Sequence, residues 1–401
     1  MMLSEPFTKA SSILNTLASN GYEGYFVGGC VRDFLLKKDI HDIDIATSAT
    51  PSEVITLFPK VIPVGMEHGT VIVRQGGESY EVTTYRLDGE YTDYRRPNEV
   101  RFVTNLAEDL RRRDFTMNAL AMDSNGRITD LFHGKEDLEK KLIRTVGNAE
   151  ERFQEDALRI LRAVRFSSQL GCTIQADTFQ AMYVIRSQIQ HLAVERITAE
   201  LTKLFQGYHV AKAIQYIIDL RLDEQLPIFE AGNSDIFKEI KKNIIPLQSF
   251  SEVIAVFHQL EPTIKIHDWI RKYKCSNHIK NDALKLINAF QFYRSHGLDN
   301  WLLYILPKKL WAGWIRLVFV MDHTTIQHEQ LEEIDAILPI KERADLDVNG
   351  NDLIDWFPQR SKGKWIKQIL EEIEYLVVTM QLANEKKIIK EWVLCNQQEP
   401  N

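Results

Sequence analysis

Asp42 and Asp44 lie two residues apart in a stretch that reads as a β-strand. Successive strand side chains point to opposite faces, so the two carboxylates would stand side by side on one face. Like charges this close raise one another's pKa unless a cation neutralises them, and Mg2+ is commonly held by one or two carboxylates plus substrate phosphates. Upstream, Tyr25-Phe26-Val27 reads as a strand running into Gly28-Gly29 and then a helix through Cys30-Val31-Arg32-Asp33. Such an opening aims free backbone N–H groups and a positive dipole end at a phosphate, with the Arg32 guanidinium beside it. Separately, an acid pair is a solvated strand edge and a Gly-Gly is a tight turn. Together they fit a magnesium nucleoside triphosphate, with Asp42 and Asp44 as the catalytic and metal-holding acids.

The elements that must position these residues are legible in outline. Thr50-Pro51-Ser52-Glu53 is a capping box with proline at the first helical position, which predicts a helix through Leu57. Residues 71–74 and 80–86 flank Gly76-Gly77, and residues 119–123 and 127–130 flank Asn125-Gly126, so both pairs read as hairpins. From about Gly134 the strand signals fade and helical periodicity takes over, first across 149–170, 176–187 and 194–205. The fold class is α+β: a mixed-sheet N-terminal part followed by helices. Residues 339–351, with Asn349-Gly350-Asn351, are the candidate late boundary.

Composition narrows the function classes. At 401 residues the chain exceeds what one hydrophobic core usually serves, so two to four domains are expected. Its four cysteines, Cys30, Cys172, Cys275 and Cys395, form no CxxC, which argues against a zinc site or a disulfide framework and suits a reducing cytosol. No apolar run approaches the roughly 18 residues a membrane span needs, so a soluble, cytoplasmic protein is expected. A net charge of −7 excludes indiscriminate coating of nucleic acid and leaves RNA contacts to local basic patches.

Three further segments carry chemistry. Glu81 sits in the strand expected over 80–86, which a plausible sheet order sets beside the strand of Asp42 and Asp44; an exposed strand glutamate is the plain alternative. Arg111-Arg112-Arg113-Asp114 follows an Asn105 cap; read plainly it is a solvated face, and read functionally Arg113 donates to a phosphate or base while Asp114 accepts from a ribose 2′-OH. In the stretch 152–165, wound as one helix, Phe153, Ala157, Ile160, Leu161 and Val164 form an apolar stripe opposite Arg152, Glu155, Asp156, Arg159 and Arg162, with Arg165 at the flank. That polar face is ordinarily an ion-pair ladder worth about 0.2–0.5 kcal/mol per pair. Asp156 with Arg159 also forms a surrogate base. One acceptor beside one donor matches the N4/N3 edge of cytosine and the N6/N1 edge of adenine, whereas uracil and guanine present the reverse polarity.

The wording YFVGGCVRD and DIDIAT, with RRRDFTMNA and the EDxxR of residues 155–159, resembles the bacterial class II tRNA nucleotidyltransferase and poly(A) polymerase family of the DNA polymerase β-type superfamily. The resemblance implies a catalytic head over 1–135, a nucleotide-selecting neck over 136–205, a helical body over 206–338 and a tRNA-binding tail over 339–401. It implies template-independent addition of C, C and A to the tRNA 3′ end from CTP and ATP, with Mg2+ at Asp42 and Asp44 and release of pyrophosphate. Nucleotide-binding positions carried over are Gly28, Gly29, Arg32, Arg113, Asp114, Asp156, Arg159, Arg162 and Arg165, and Glu81 is a candidate third acid. Residues 87–99 match the family's flexible loop, whose presence favours addition of the final A. The implied partner is tRNA, gripped at its 3′ end and elbow; a homodimer is an open expectation. The rival readings are a poly(A) polymerase and a non-catalytic RNA-binding protein on a transferase head.

Overall fold

The computed structural model describes residues 3–89, 100–229 and 235–396. The loop expected over 87–99 falls mostly on residues outside this set. The chain divides into two compact units, Met1–Lys242 and Asn243–Asn401.

The first unit is built on a seven-stranded sheet in the order β3-β4-β5-β2-β1-β8-β9. Its strands are β1 (Gly24–Val27), β2 (Asp44–Thr47), β3 (Val61–Ile62), β4 (Thr70–Gln75), β5 (Glu78–Thr84), β8 (Leu120–Met122) and β9 (Ile128–Asp130). Two short ribbons accompany it, β6 (Arg86–Asp88) with β7 (Val100–Phe102) and β10 (Leu142–Ile143) with β11 (Thr173–Ile174). Within the main sheet β2 and β5 run parallel, with Asp44 opposite Glu81, and every other pairing is antiparallel. The β2 residues Ile45, Ala46 and Thr47 are all buried, as expected of a central strand covered on both faces.

Local signals resolve as the sequence predicts. Gly76 and Gly77 take φ +62° and +88°, the two positive values that a two-residue type I′ hairpin turn requires between β4 and β5. Thr50 and Glu53 close their capping box at the start of the helix Pro51–Leu57, with Thr50 N–H donating to Glu53 Oε2 at 2.7 Å. The helix Val194–Phe205 has the expected bounds. Residues 149–170 do not form one helix: the chain makes Ala149–Glu155 and Leu158–Leu170, with Asp156 extended at φ −148°, ψ 99°. The cause is local, since Asp156 Oδ1 accepts the Leu158 N–H at 3.0 Å and so competes with the helical ladder. The expected helix over 176–187 stops at Ile185 and tightens into a 3₁₀ segment, Arg186–His191.

The second unit is helical among its described residues, from Phe250–Leu260 to Lys386–Asn396. Trp269, Trp311 and Trp314 are fully buried in its core, while Trp301 stacks on Tyr304 nearer the surface. The His267-Asp268 pair is structural: Asp268 pairs with Arg271 at 3.0 Å, three residues along the helix. The 339–351 segment lies inside this unit, and the cut between the two units falls at Lys242.

Candidate active site

The first unit holds a cleft of about 900 Å3, lined by β1 and β2 residues, by Glu81 of β5, by Asp109 to Asp114 and by the helix Leu158–Leu170. Eight arginines and five carboxylates line it, so a chain of net negative charge presents a locally cationic cavity. That is the environment an oligophosphate requires.

Gly28 ends β1 in a backbone conformation, φ +73° and ψ −126°, that only glycine adopts without strain. A Cβ there would also lie 2.7 Å from Arg113 Nη1 and would push that guanidinium aside, so the conformation demands glycine and the bare Cα leaves Arg113 in place. Gly29 opens the short helix Gly29–Leu35 that carries Arg32. Arg32 is held rigidly: Nη1 donates to Asn118 Oδ1 at 2.8 Å, Nε and Nη2 donate to Asp33 at 2.9 Å, and its guanidinium lies 5.1 Å from the Phe166 ring.

Asp44 is the first residue of β2 and lines the cleft; Asp42 is exposed in the segment before it and does not. Asp44 keeps solvent contact, yet desolvation on its cleft side pushes its pKa up against the pull of Arg113, and Asp42 adds to the rise. Glu81, beside Asp44 in the parallel ladder, is raised by desolvation and by Asp44, with Arg86 opposing. Among the described residues no three His, Cys, Asp or Glu side chains already converge as a metal cage, and Glu81 stands opposite Asp44 in the ladder. The donor set of Asp42 and Asp44 is hard carboxylate oxygen alone, which fits Mg2+ completing its shell with phosphate and water oxygens.

Of the three consecutive arginines, Arg111 is exposed while Arg112 and Arg113 turn inward. Arg112 and Arg113 both pair with buried Asp109, at 2.7 and 3.3 Å. Burial alone would push the Asp109 carboxyl up, but the two guanidiniums hold it below the ordinary range. Asp114, 8% exposed, accepts from Phe115 N–H (2.8 Å) and Asn118 Nδ2 (3.0 Å) on one oxygen and from Arg162 Nε (2.8 Å) and Nη2 (2.6 Å) on the other. A carboxylate offers about four acceptor sites, so all are taken. The expected 2′-OH acceptor is therefore engaged as the anchor of Arg162, and it can accept from a ribose only if one of these donors yields. Burial opposes its charge, but Arg162, Asn118 and Arg159 outweigh burial and hold its pKa well below the ordinary 3.8.

A pH dependence of known sign follows. A depressed carboxyl contributes stability that is present above pH 3.8 and lost as the pH falls below it. Asp114→Asn should therefore cost about 2 kcal/mol at pH 7, from the loss of paired, charge-assisted bonds to a part-buried guanidinium. The gap between variant and native chain should narrow below pH 4, read from denaturant midpoints along a pH series.

Asp156 and Arg159 both line the cleft, but the break at Asp156 removes the shared helical face expected of them. Asp156 Oδ2 accepts from Arg196 Nη2 at 2.7 Å, and Arg159 Nη1 donates to Glu155 Oε2 at 2.6 Å and to Arg152 O at 2.9 Å. Arg165 Nε lies 2.8 Å from Glu200 Oε2 without hydrogen-bond alignment, so both atoms are buried with a charge partner and no hydrogen bond. Desolvation lowers the Arg165 pKa to about 10, against the pull of Glu200. Arg32, Arg162 and Arg165 converge on Phe166, at 5.1, 5.6 and 4.2 Å from its centroid.

Arg196 and Glu200 are cleft-side partners that sequence reasoning missed. Both lie on the helix Val194–Phe205, four residues apart and next to the buried stripe of Ile197, Leu201 and Leu204. That spacing was the available signal. Asp109 and Asn118 were missed as well: Asp109 pairs with Arg112 and Arg113 through side-chain directions that no periodicity reveals, and Asn118 meets Arg32 only through tertiary packing.

Models of known families match in three consecutive stretches: the poly A polymerase head domain over residues 24–144, the "Probable RNA and SrmB-binding site of polymerase A" over 171–232, and tRNA nucleotidyltransferase domain 2 over 246–393. With the cleft, these define a nucleotidyltransferase with a poly A polymerase type of head. The chain is 78% identical over 400 residues to a CCA-adding enzyme of Oceanobacillus iheyensis, with 100% of both chains covered. It is 42% identical over 404 residues to that of Anoxybacillus flavithermus, again with 100% of both covered. The crystal structure of the Bacillus stearothermophilus CCA-adding enzyme in complex with CTP superposes with a TM-score of 0.90 at 37% identity, covering 99% of this chain and 98% of that one. The chain belongs to the family of CCA-adding enzymes.

Proposed function

We propose that this chain adds C, C and A to the 3′ end of tRNA from CTP and ATP, without a nucleic-acid template and with release of pyrophosphate, in the cytoplasm. The carrying observation is that one cationic cleft is lined by Asp44, by Gly28, Gly29 and Arg32, and by Asp156 and Arg159. Gly28, Gly29 and Arg32 secure the triphosphate, Arg113 and Arg162 neutralise its charge, and Asp114 keeps Arg162 in place. Asp156 accepts from the amino group of C or A and Arg159 donates to the adjacent ring nitrogen. Asp42 and Asp44 would hold Mg2+, which when bound would offset charge at the phosphorus and favour ionisation of the attacking 3′-OH. The division into head (1–135), neck (136–205), body (206–338) and tail (339–401) belongs to this reading. Among the described residues no helix is long and apolar enough to cross a membrane, in keeping with it.

The nearest rival is a poly(A) polymerase, because residues 24–144 and 171–232 both match models of that polymerase. A tRNA transcript lacking CCA, offered each NTP singly, separates the two. The expected result is incorporation of two C from CTP alone, and of one A from ATP only once CC is present. Long tails from ATP with no use of CTP would overturn the reading.

A further inference from the structure

Four chain segments that the nucleotide-handling residues leave unused meet beside the cleft. After the helix Gly29–Leu35 the chain passes through Lys37, at φ +54°, to exposed Lys38, whose Nζ donates to Gln169 O at 3.3 Å. Gln169 itself lines the cleft. The helix Leu158–Leu170 ends at Gly171, whose carbonyl accepts from Lys212 Nζ at 2.8 Å; the same ammonium donates to Thr173 Oγ1 at 2.9 Å. Exposed Lys141, at φ +52°, precedes β10, and its carbonyl accepts the Thr173 N–H at 2.7 Å. His209 is exposed, donates its N–H to Ser168 O at 2.8 Å and packs its ring on Gly171. Its neighbour Tyr208 is 88% exposed, more than any other large hydrophobic side chain among the described residues.

The field at this spot is cationic. The buried thiol of Cys172 is raised by desolvation first, and the charged groups bearing on it are Lys212, Lys141, Lys38 and Arg32. Capping of the carbonyls at a helix C-terminus accounts for one donor of Lys38 and one of Lys212. It does not account for Lys141, whose ammonium pairs with no carboxylate among the described residues, nor for an aromatic ring left in water. A lysine ammonium carries three donors, so the capping lysines keep others for a ligand. Lysines grouped about residues 169–173, with an exposed aromatic ring beside His209 in the chain, match in a protein of net charge −7 the chemistry of a nucleic-acid strand: phosphates for the ammoniums and a base face for the ring.

We propose that Lys38, Lys141, Lys212 and His209, with the open ring of Tyr208, form a docking surface for the phosphate backbone of the RNA strand whose 3′ end enters the cleft. The inference rests on the RNA-extending function proposed above. It is tested on the full chain with CTP and a tRNA transcript ending before the CCA. The double variant Lys38→Gln, Lys141→Gln should raise the KM for RNA about tenfold, roughly threefold for each lost phosphate contact, and lower the slope of log KM against log salt by about 1.5. The KM for CTP and kcat should hold, and the corresponding double arginine variant should restore the RNA KM. Tyr208→Ala should weaken RNA binding and Tyr208→Phe should not. An unchanged RNA KM and salt slope would overturn the proposal. So would a loss that tracks a lowered thermal midpoint, which would make the lysines helix caps only. If the native chain extends no RNA, it is the function reading that fails; if it does and the variants are indifferent, only the docking surface fails.

Discussion

Asp44→Asn is expected to lower kcat for nucleotide incorporation by about a thousandfold, with the thermal midpoint held or slightly raised. The two halves of the result have one cause. Asp44 sits at the start of β2 where desolvation and the neighbouring Asp42 both disfavour its charge, and only Arg113 opposes them. An ionised carboxylate kept in such a place costs folding stability, and an amide of the same shape removes that cost. On the proposed function the same charge would serve the reaction, because a carboxylate pair would be the hard-oxygen donor set for Mg2+, and losing several kcal/mol of charge stabilisation at the phosphorus corresponds to about three powers of ten in rate. Single-turnover incorporation from CTP gives the rate, calorimetry gives the midpoint, and CTP titration shows whether the arginine-lined cleft still takes the nucleotide. A variant that incorporates at the native rate would remove Asp44 from the chemistry. A variant that loses activity and unfolds earlier would make its role structural.

Much of the head was legible because its signals are local. A capping box and two glycines between alternating strands each specify a geometry within a few residues, and Thr50-Glu53 and Gly76-Gly77 appear as expected. Of the acid pair, expected side by side on one strand, only Asp44 lies on β2 and lines the cleft, because the strand begins there and leaves Asp42 in the segment before it. The apolar stripe of Phe153, Ala157, Ile160, Leu161 and Val164 is fully buried, so the periodicity identified the right face. Helical periodicity was silent on whether the backbone continues between those residues. A stripe of buried side chains survives one extended residue, and Asp156 supplies the local acceptor that interrupts the ladder. The partners of the cleft arginines were illegible for another reason. Asp114 meets Arg162 and Arg165 meets Glu200 across 48 and 35 positions of sequence, and only tertiary packing decides which carboxylate a guanidinium finds. Reading each charged residue alone made Asp114 a ligand for substrate; the fold first makes it a ligand for Arg162.

Asp156→Asn is expected to reduce the preference for CTP over UTP, as a ratio of kcat/KM values, by about tenfold to a hundredfold while leaving the neck folded. The asparagine oxygen can still accept the Leu158 N–H, so the break between Ala149–Glu155 and Leu158–Leu170 persists. What changes is the second atom. In the native chain Asp156 Oδ2 accepts from Arg196 at 2.7 Å, and each Asp156 oxygen takes one hydrogen bond where it has room for two. On the proposed function the cytosine or adenine amino group would therefore share the carboxylate with Arg196 and not displace it. An amide NH2 in place of Oδ2 would face the guanidinium donor to donor and offer the base a donor where it needs an acceptor. A good bidentate base contact is worth about 1–3 kcal/mol of discrimination, which sets the size of the loss. Steady-state kinetics with all four NTPs on a transcript lacking CCA measure it, and an unchanged CTP to UTP ratio would remove Asp156 from base selection. Asp156→Ala separates the two duties of the residue, because it loses the cap as well and should lower the thermal midpoint where the asparagine variant does not. On the proposed function the carboxylate that interrupts the helix would also be the acceptor presented to the base: with the ladder interrupted, Asp156 lies against Arg196 at the cleft wall.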